Sequence, residues 1–172
     1  MKKLIPHVLL LSLIGCAQPI ELNPTQVTKP ISCNVYDLGY YPSVLPVFSS
    51  LSPTVKVGLD AFSLGTATNG NPFPALVGTE AELLSSRVAF RCKGLIAVTA
   101  AGNHVIKVTS DDGVRVILGG LKIIENNTTH AATTNSATVT LEPGMYQLTV
   151  EYFQGDGDKG LTLSIQDPQR AL

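Results

Sequence analysis

The sequence predicts an all-β protein, an antiparallel β-sandwich of jelly-roll type. Three observations lead there. From Arg87 to Gln166 short runs of β-forming residues alternate apolar and polar positions with a period of two. Gly, Asp, Asn and Pro break these runs at near-regular intervals, the spacing of sandwich strands rather than of βαβ units. The mature part carries a single helix signal, the capping-box spacing Thr79-Glu80-Ala81-Glu82, which predicts one or two turns over residues 80–85.

The first residues do not belong to that domain. Lys2 and Lys3 precede an apolar run over residues 4–14, which is too short to cross a bilayer as a mature helix. It ends in Leu13-Ile14-Gly15-Cys16, which resembles the bacterial lipobox. The resemblance implies a lipoprotein signal peptide over residues 1–15 and a lipidated Cys16 as the mature N-terminus. The alternative is an ordinary secretion signal with an incidental cysteine. Ala17, where inner-membrane retention uses Asp, resembles outer-membrane sorting. The expected location is therefore the bacterial cell envelope, with the outer membrane favoured and the membrane itself a partner through the N-terminal lipid. Residues 16–32, with Pro19, Pro24 and Pro30 and few apolar side chains, read as a flexible tether, and residues 33–168 as the domain.

Cysteine usage agrees with export. With Cys16 lipidated, Cys33 and Cys92 remain, and in an oxidising compartment they are expected to form a disulfide, the alternative being two buried thiols. Charged residues make up 15% of the chain and the formal net charge is -1, with no basic block, so nucleic acid is not an expected partner. Aromatic residues are 6% and there is no Trp, which argues against a broad aromatic platform for stacking sugars.

Along the domain, residues 35–41 and 44–48 contain β-formers broken by Pro42 and Pro46 and suit edge strands. Residues 52–59 alternate and predict a short strand, and residues 66–74 a loop. Residues 88–92 and 95–99 predict a strand interrupted at Gly94 by a bulge or bend. Residues 105–109 and 114–118 predict two strands around the corner Ser110-Asp111-Asp112-Gly113. Gly119-Gly120 marks a hairpin turn. A polar connection over 125–136, a strand over 137–141, the Glu142-Pro143-Gly144 turn and a strand over 145–153 follow. An acidic loop over 154–160 precedes the closing strand, 161–166. His104 and His130 read as edge or surface residues rather than ligands.

Phe90 with Gly94, Ala101-Gly102-Asn103-His104-Val105, Ser110-Asp111-Asp112-Gly113-Val114, Leu118-Gly119-Gly120, Leu141 with Gly144 and Tyr146, and Glu151-Tyr152 together resemble the protective-antigen-type domain. That β-sandwich occurs in anthrax protective antigen, in bacterial glycosidase inserts and in yeast flocculins and adhesins. In its lectin branch a pair of Asp residues joined by a cis peptide binds Ca²⁺, which in turn binds sugar hydroxyls, and an Asn and backbone carbonyls of a later loop complete the site. The resemblance implies that Asp111 and Asp112 are metal and ligand residues. Gln154 stands where the family has Asn, a departure that changes the side-chain reach. Asp156 and Asp158 could supply further oxygens to a hard cation.

Two functions follow. One is an envelope-anchored lipoprotein binding module that recognises carbohydrate through Ca²⁺ at the Asp111-Asp112 corner. The other is a non-catalytic structural or protein-interaction sandwich, its partner an envelope protein, in which the corner is a turn and holds no metal. An enzyme is not expected: no nucleophile set is present, and two acids on one loop tip do not flank a cleft as a glycosidase pair does.

Overall fold

The computed structural model describes residues 31–168 apart from Val77 and Thr79. Cys16, the signal peptide and the tether through Pro30 lie outside the described residues, as does Thr79 of the capping box.

Among the described residues ten strands form two antiparallel sheets, as the fold class requires. The strands are β1 (Ile31–Asp37), β2 (Val55–Leu59), β3 (Ser63–Ala67), β4 (Val88–Val98), β5 (Gly102–Asp111), β6 (Val114–Leu118), β7 (Leu121–Asn126), β8 (Thr133–Leu141), β9 (Gly144–Gln154) and β10 (Lys159–Gln166). One sheet has the order β2-β1-β4-β9-β6-β7 and the other β3-β10-β5-β8. Alternate residues of both sheets face each other across a shared core, which includes Phe90, Tyr146, Leu148, Tyr152, Ile106, Val108 and Leu161. Phe73, from the loop after β3, packs edge-on against Phe90 and Tyr152.

Several local expectations change. The first strand begins at Ile31 and ends at Asp37, not at Tyr41, because Asp37 Oδ1 accepts the Gly39 N–H at 2.9 Å and Gly39 takes φ +66°. Residues 44–48 form no strand. Pro42 and Pro46 deny them a ladder, and the segment crosses the outer face of the larger sheet before a short 3₁₀ turn at Phe48–Ser50. There Leu45 and Phe48 cover Tyr36, Ala89 and Phe153, a second small core. This cover explains why the C-terminal half of β9 is buried on both faces rather than on one. The helix signal yields a 3₁₀ turn, Glu80–Leu83.

Gly94 makes no bulge: β4 and β9 stay in register from Val88↔Gln154 to Val98↔Gly144. Its requirement is space, since a Cβ there would lie 2.8 Å from Ile31 Cγ1 and 3.0 Å from Phe62 Cζ. Strand β3 was not expected, and β8 starts earlier than its apolar residues suggest. Gly119 and Gly120, at φ 54° and 86°, make the tight hairpin between β6 and β7.

Cys33 and Cys92 are directly opposite one another on β1 and β4 and are joined by a disulfide. Both are buried, so the bond staples the first strand to an interior strand of the same sheet.

Candidate functional site

The corner lies where the chain leaves the smaller sheet for the larger one. Asp111 ends β5, Val114 starts β6, and Asp112-Gly113 make the crossing. The Asp111-Asp112 peptide is cis, as the resemblance implies. Gly113 cannot carry a side chain here: a Cβ would sit 2.3 Å from Phe153 Cε1 and 3.0 Å from the Thr128 carbonyl oxygen. The chain between β9 and β10 makes the opposite crossing at the same end of the sandwich, so both acidic loops share that end.

The two aspartates have different surroundings. Asp112 is 2% exposed. Its Oδ1 accepts the His130 backbone N–H at 3.1 Å and its Oδ2 the Gly155 backbone N–H at 2.9 Å. One buried carboxylate thereby joins the loop after β7 to the loop after β9. Asp111 is half-buried and lines an open groove of about 340 Å³, bounded also by Thr66, Thr109, Asp158 and Gly160. That volume is within the range of small-molecule sites, about 300–1,000 Å³. Gly160 keeps the floor low between Thr66 on β3 and Asp111 on β5, its partners on either side.

Burial raises the Asp111 carboxyl above its ordinary pKa of 3.8, and the Asp112 charge adds to the shift. His130 and the Ala132 N–H oppose it, and the Asp158 charge supports it. The folded state thus disfavours ionised Asp111. This residue subtracts from stability as pH rises past 3.8, and the loss is complete once pH exceeds the raised folded value. Among the described residues no Lys or Arg forms an ion pair with Asp111 or Asp112.

Gln154 does not face the groove. It is fully buried, its Nε2 donates to the carbonyls of Asp156 at 2.9 Å and Asp158 at 3.0 Å, and its Oε1 faces the Tyr152 hydroxyl at 2.7 Å. The longer amide is the spindle around which the loop winds, not a free ligand. The Tyr152 hydroxyl also lies 2.5 Å from the Asp111 carbonyl, so its single proton is shared between two acceptors. Burial first, then the charges of Asp112 and Asp111, push that phenol well above its ordinary value. Asp156 and Asp158 are exposed, and Asp158 Oδ1 accepts the Asn69 N–H at 3.0 Å. Among the described residues no three Asp, Glu, His or Cys side chains converge as a preformed metal cluster.

Lys159 was not singled out by its sequence. It is buried, its Nζ donates to the carbonyls of Asn71, at 2.8 Å, and Ser85, and it lies over the Phe73 ring. Burial lowers its pKa, with the Asp156 charge acting in the opposite sense. The amine pins the second acidic loop to two others. His104 is buried and not at an edge, its Nδ1 against the Gly102 carbonyl at 3.0 Å, so it is a core residue near the far end of β5. The longest polar feature also went unread. Lys56, Asn34, Arg91, Glu151, Arg115 and Glu125 stand in register across all six strands of the larger sheet.

An antiparallel sandwich with a paired-aspartate crossing at one loop end defines the class. The PA14 domain family model matches residues 85–171, and the chain belongs to that family. Among solved structures it is similar to the PA14 domain of the MpAFP antifreeze protein, with 13% identity, TM-score 0.67 and 90% of each chain covered. It is also similar to the PA14 sugar-binding domain from an RTX adhesin, with 16% identity, TM-score 0.61, and 80% of this chain and 89% of that one covered. A third is the epithelial adhesin 9 A domain of Candida glabrata in complex with Galβ1-3GlcNAc, with 11% identity, TM-score 0.68, and 91% and 90% covered. No curated protein matches the chain.

Proposed function

We propose that this domain is a carbohydrate-binding module of a lipid-anchored envelope protein, and that Ca²⁺ held at Asp111 and Asp112 takes part in binding. The observation that carries the reading is the half-buried Asp111 carboxyl at the groove, beside a second carboxylate and without a Lys or Arg partner among the described residues. Two relatives of the same fold are described as sugar-binding or sugar-bound. The donor chemistry fits a hard cation: both aspartates offer carboxylate oxygens, and backbone N–H groups fix Asp112 in place. Gln154 does not contribute, because its amide holds the loop's own carbonyls. When bound, the cation supplies open coordination positions for ligand hydroxyls. Thr66 and Thr109 border the groove, and the Thr109 hydroxyl is bonded to that of Thr134 at 2.7 Å.

The second reading, a metal-free structural sandwich, has one observation in its favour. Both oxygens of Asp112 already receive backbone N–H groups, which is what a turn-making carboxylate does.

The two readings separate on a melt. A cation that binds only the folded state adds about 2.7 kcal/mol at a hundredfold excess over Kd. With the site intact, Tm is expected to rise in millimolar Ca²⁺ and fall in chelator. Asp111→Asn is the informative variant, since it removes a charge that the fold disfavours. It is expected to melt at or above wild type in chelator and to ignore Ca²⁺. A glycan array with and without Ca²⁺ reads the ligand. An unchanged melt together with a flat calorimetric titration leaves the structural reading. Anchoring is tested apart from binding: palmitate labelling of wild type and its loss in Cys16→Ser are expected, and an unlabelled wild type removes the anchor.

A further inference from the structure

Among the described residues the two sheets end in four edge strands, and three of them carry a feature that discourages pairing with another chain. On β2 the exposed Lys56 stands near the middle of a five-residue strand that follows Pro53. On β7 Lys122 and Glu125 are exposed, and the ladder to β6 slips between Val116 and Ile117. On β3, also five residues, Gly65 takes φ +78° and the ladder to β10 slips between Leu161 and Thr162. The fourth edge, β8, has none of these. It is nine residues long, Thr-Thr-Asn-Ser-Ala-Thr-Val-Thr-Leu, without charge, Pro or Gly. Its register with β5 is unbroken from Gly102↔Leu141 to Ser110↔Thr133, and among the described residues β5 is its sole strand partner.

We infer that β8 is an interaction edge and that its partner is the β8 of a second copy of this chain, paired antiparallel. A regular strand in a sheet directs every second residue's N–H and C=O away from its one neighbour, so the free side of β8 offers a continuous row of donors and acceptors. The occupant follows from self-complementarity. About a two-fold axis near Ala137, Ser136 faces Thr138 of the other copy and Thr134 faces Thr140. Both of these pairs are of Ser or Thr with no like charges opposed, and the Thr134 and Thr140 hydroxyls keep their bonds to Thr109 and Asn103 within each copy. Ala137 and Val139, packed on the core but half-exposed, lose further contact with water on pairing. The arrangement closes at two copies, because both β8 edges are then consumed and the other edge of the small sheet is the kinked β3. A single strand pair is a small interface, so association is weak and concentration-dependent. Antiparallel pairing also directs the groove ends of the two copies in opposite directions.

Sedimentation velocity of the full chain from micromolar to millimolar concentration tests this. Wild type is expected to shift from monomer toward dimer. Thr138→Lys and Thr138→Glu, both on the exposed face of β8, should each stay monomeric with an unchanged melt. An equimolar mixture of the two should dimerise again. A wild type that stays monomeric throughout, a Thr138→Lys variant that dimerises as wild type does, or a mixture that fails to pair overturns the proposal. So does slow hydrogen exchange in the monomer at the β8 amides that point away from β5, which would mean that the edge is covered from within the chain.

Discussion

Removing the Cys33–Cys92 bond is expected to cost the domain about 4 kcal/mol. The two cysteines are 59 residues apart in sequence, and the chain-entropy estimate for a loop of that length is about 4 kcal/mol. At roughly 3–4 °C per kcal/mol for a domain of this size, Tm should fall by roughly 12–16 °C. Cys33→Ala/Cys92→Ala and reduced wild type should both show this drop, the alanine variant melting slightly lower. Both sulfurs lie in the core, so the alanine variant also loses a little packing. The position in the sheet makes the effect specific. β1 is held by β4 on one side and only by the short β2 on the other, so without the bond the β1–β2 pair is the part freest to open. Hydrogen exchange on reduced protein should therefore rise first along Ser32 to Val35 and Val55 to Leu59. Two alkylatable thiols in protein purified without reductant, or an unchanged melt on reduction, would contradict this.

Replacing Glu151 is expected to have an effect of similar size. Its carboxylate is 5% exposed and lies between two guanidinium groups, with Arg91 Nε at 3.1 Å and Arg115 Nη1 at 2.9 Å. Arg115 in turn meets Glu125 at 2.7 Å, and Lys122 pairs with the same Glu125. Glu151→Gln keeps the shape but leaves two adjacent cations without their shared anion. Breaking a buried pair from one side costs about 3–5 kcal/mol. Because Arg91 and Arg115 retain 34% and 28% exposure, water takes up part of that loss and a value near 3 kcal/mol is expected. Adding Arg91→Met to Glu151→Gln should recover part of it, since the repulsion is then gone. Additive losses in that double-mutant cycle would show that the row is three independent contacts rather than one network. The same cycle should leave any Ca²⁺ response intact, because Glu151 lies on the outer face of the large sheet, away from the groove.

What could be read from the residues depended on whether the signal was local. The Asp111-Asp112 corner, the Gly119-Gly120 hairpin and the strand over 145–153 each announce themselves within a few positions, and each is present. The pairing of Cys33 with Cys92 was legible because reading Cys16 as lipidated left those two as the remaining pair. Strand β3 was not, because Ser-Leu-Gly-Thr-Ala has a single large apolar residue and a Gly in its middle. Its strand character comes from pairing with β10. The row from Lys56 to Glu125 was hidden for a related reason: register is a tertiary property, and none of these residues is unusual where it stands. His104 looked like an edge residue because a polar side chain in an alternating run is normally read as facing out. Parity with Ile106 and Val108 would have placed it inside. Gln154 was assigned by likeness to an Asn, and the extra methylene let its amide turn back on its own loop.

The direction of the strands has a consequence for how the domain is presented. At the groove end Asp111 is paired with Gly160, and the Asp37–Val88 pair of the larger sheet lies at the same level. The described chain enters at Ile31, beside Leu59, and its last strand leaves at Gln166, beside Val105. Both are at the opposite pole. From Val105 to Asp111 is about 20 Å of strand at about 3.3 Å per residue. The chain N-terminal to Ile31 therefore joins the domain at the pole opposite the groove. A molecule held in the groove would lie at the far pole from the point where the chain enters the domain.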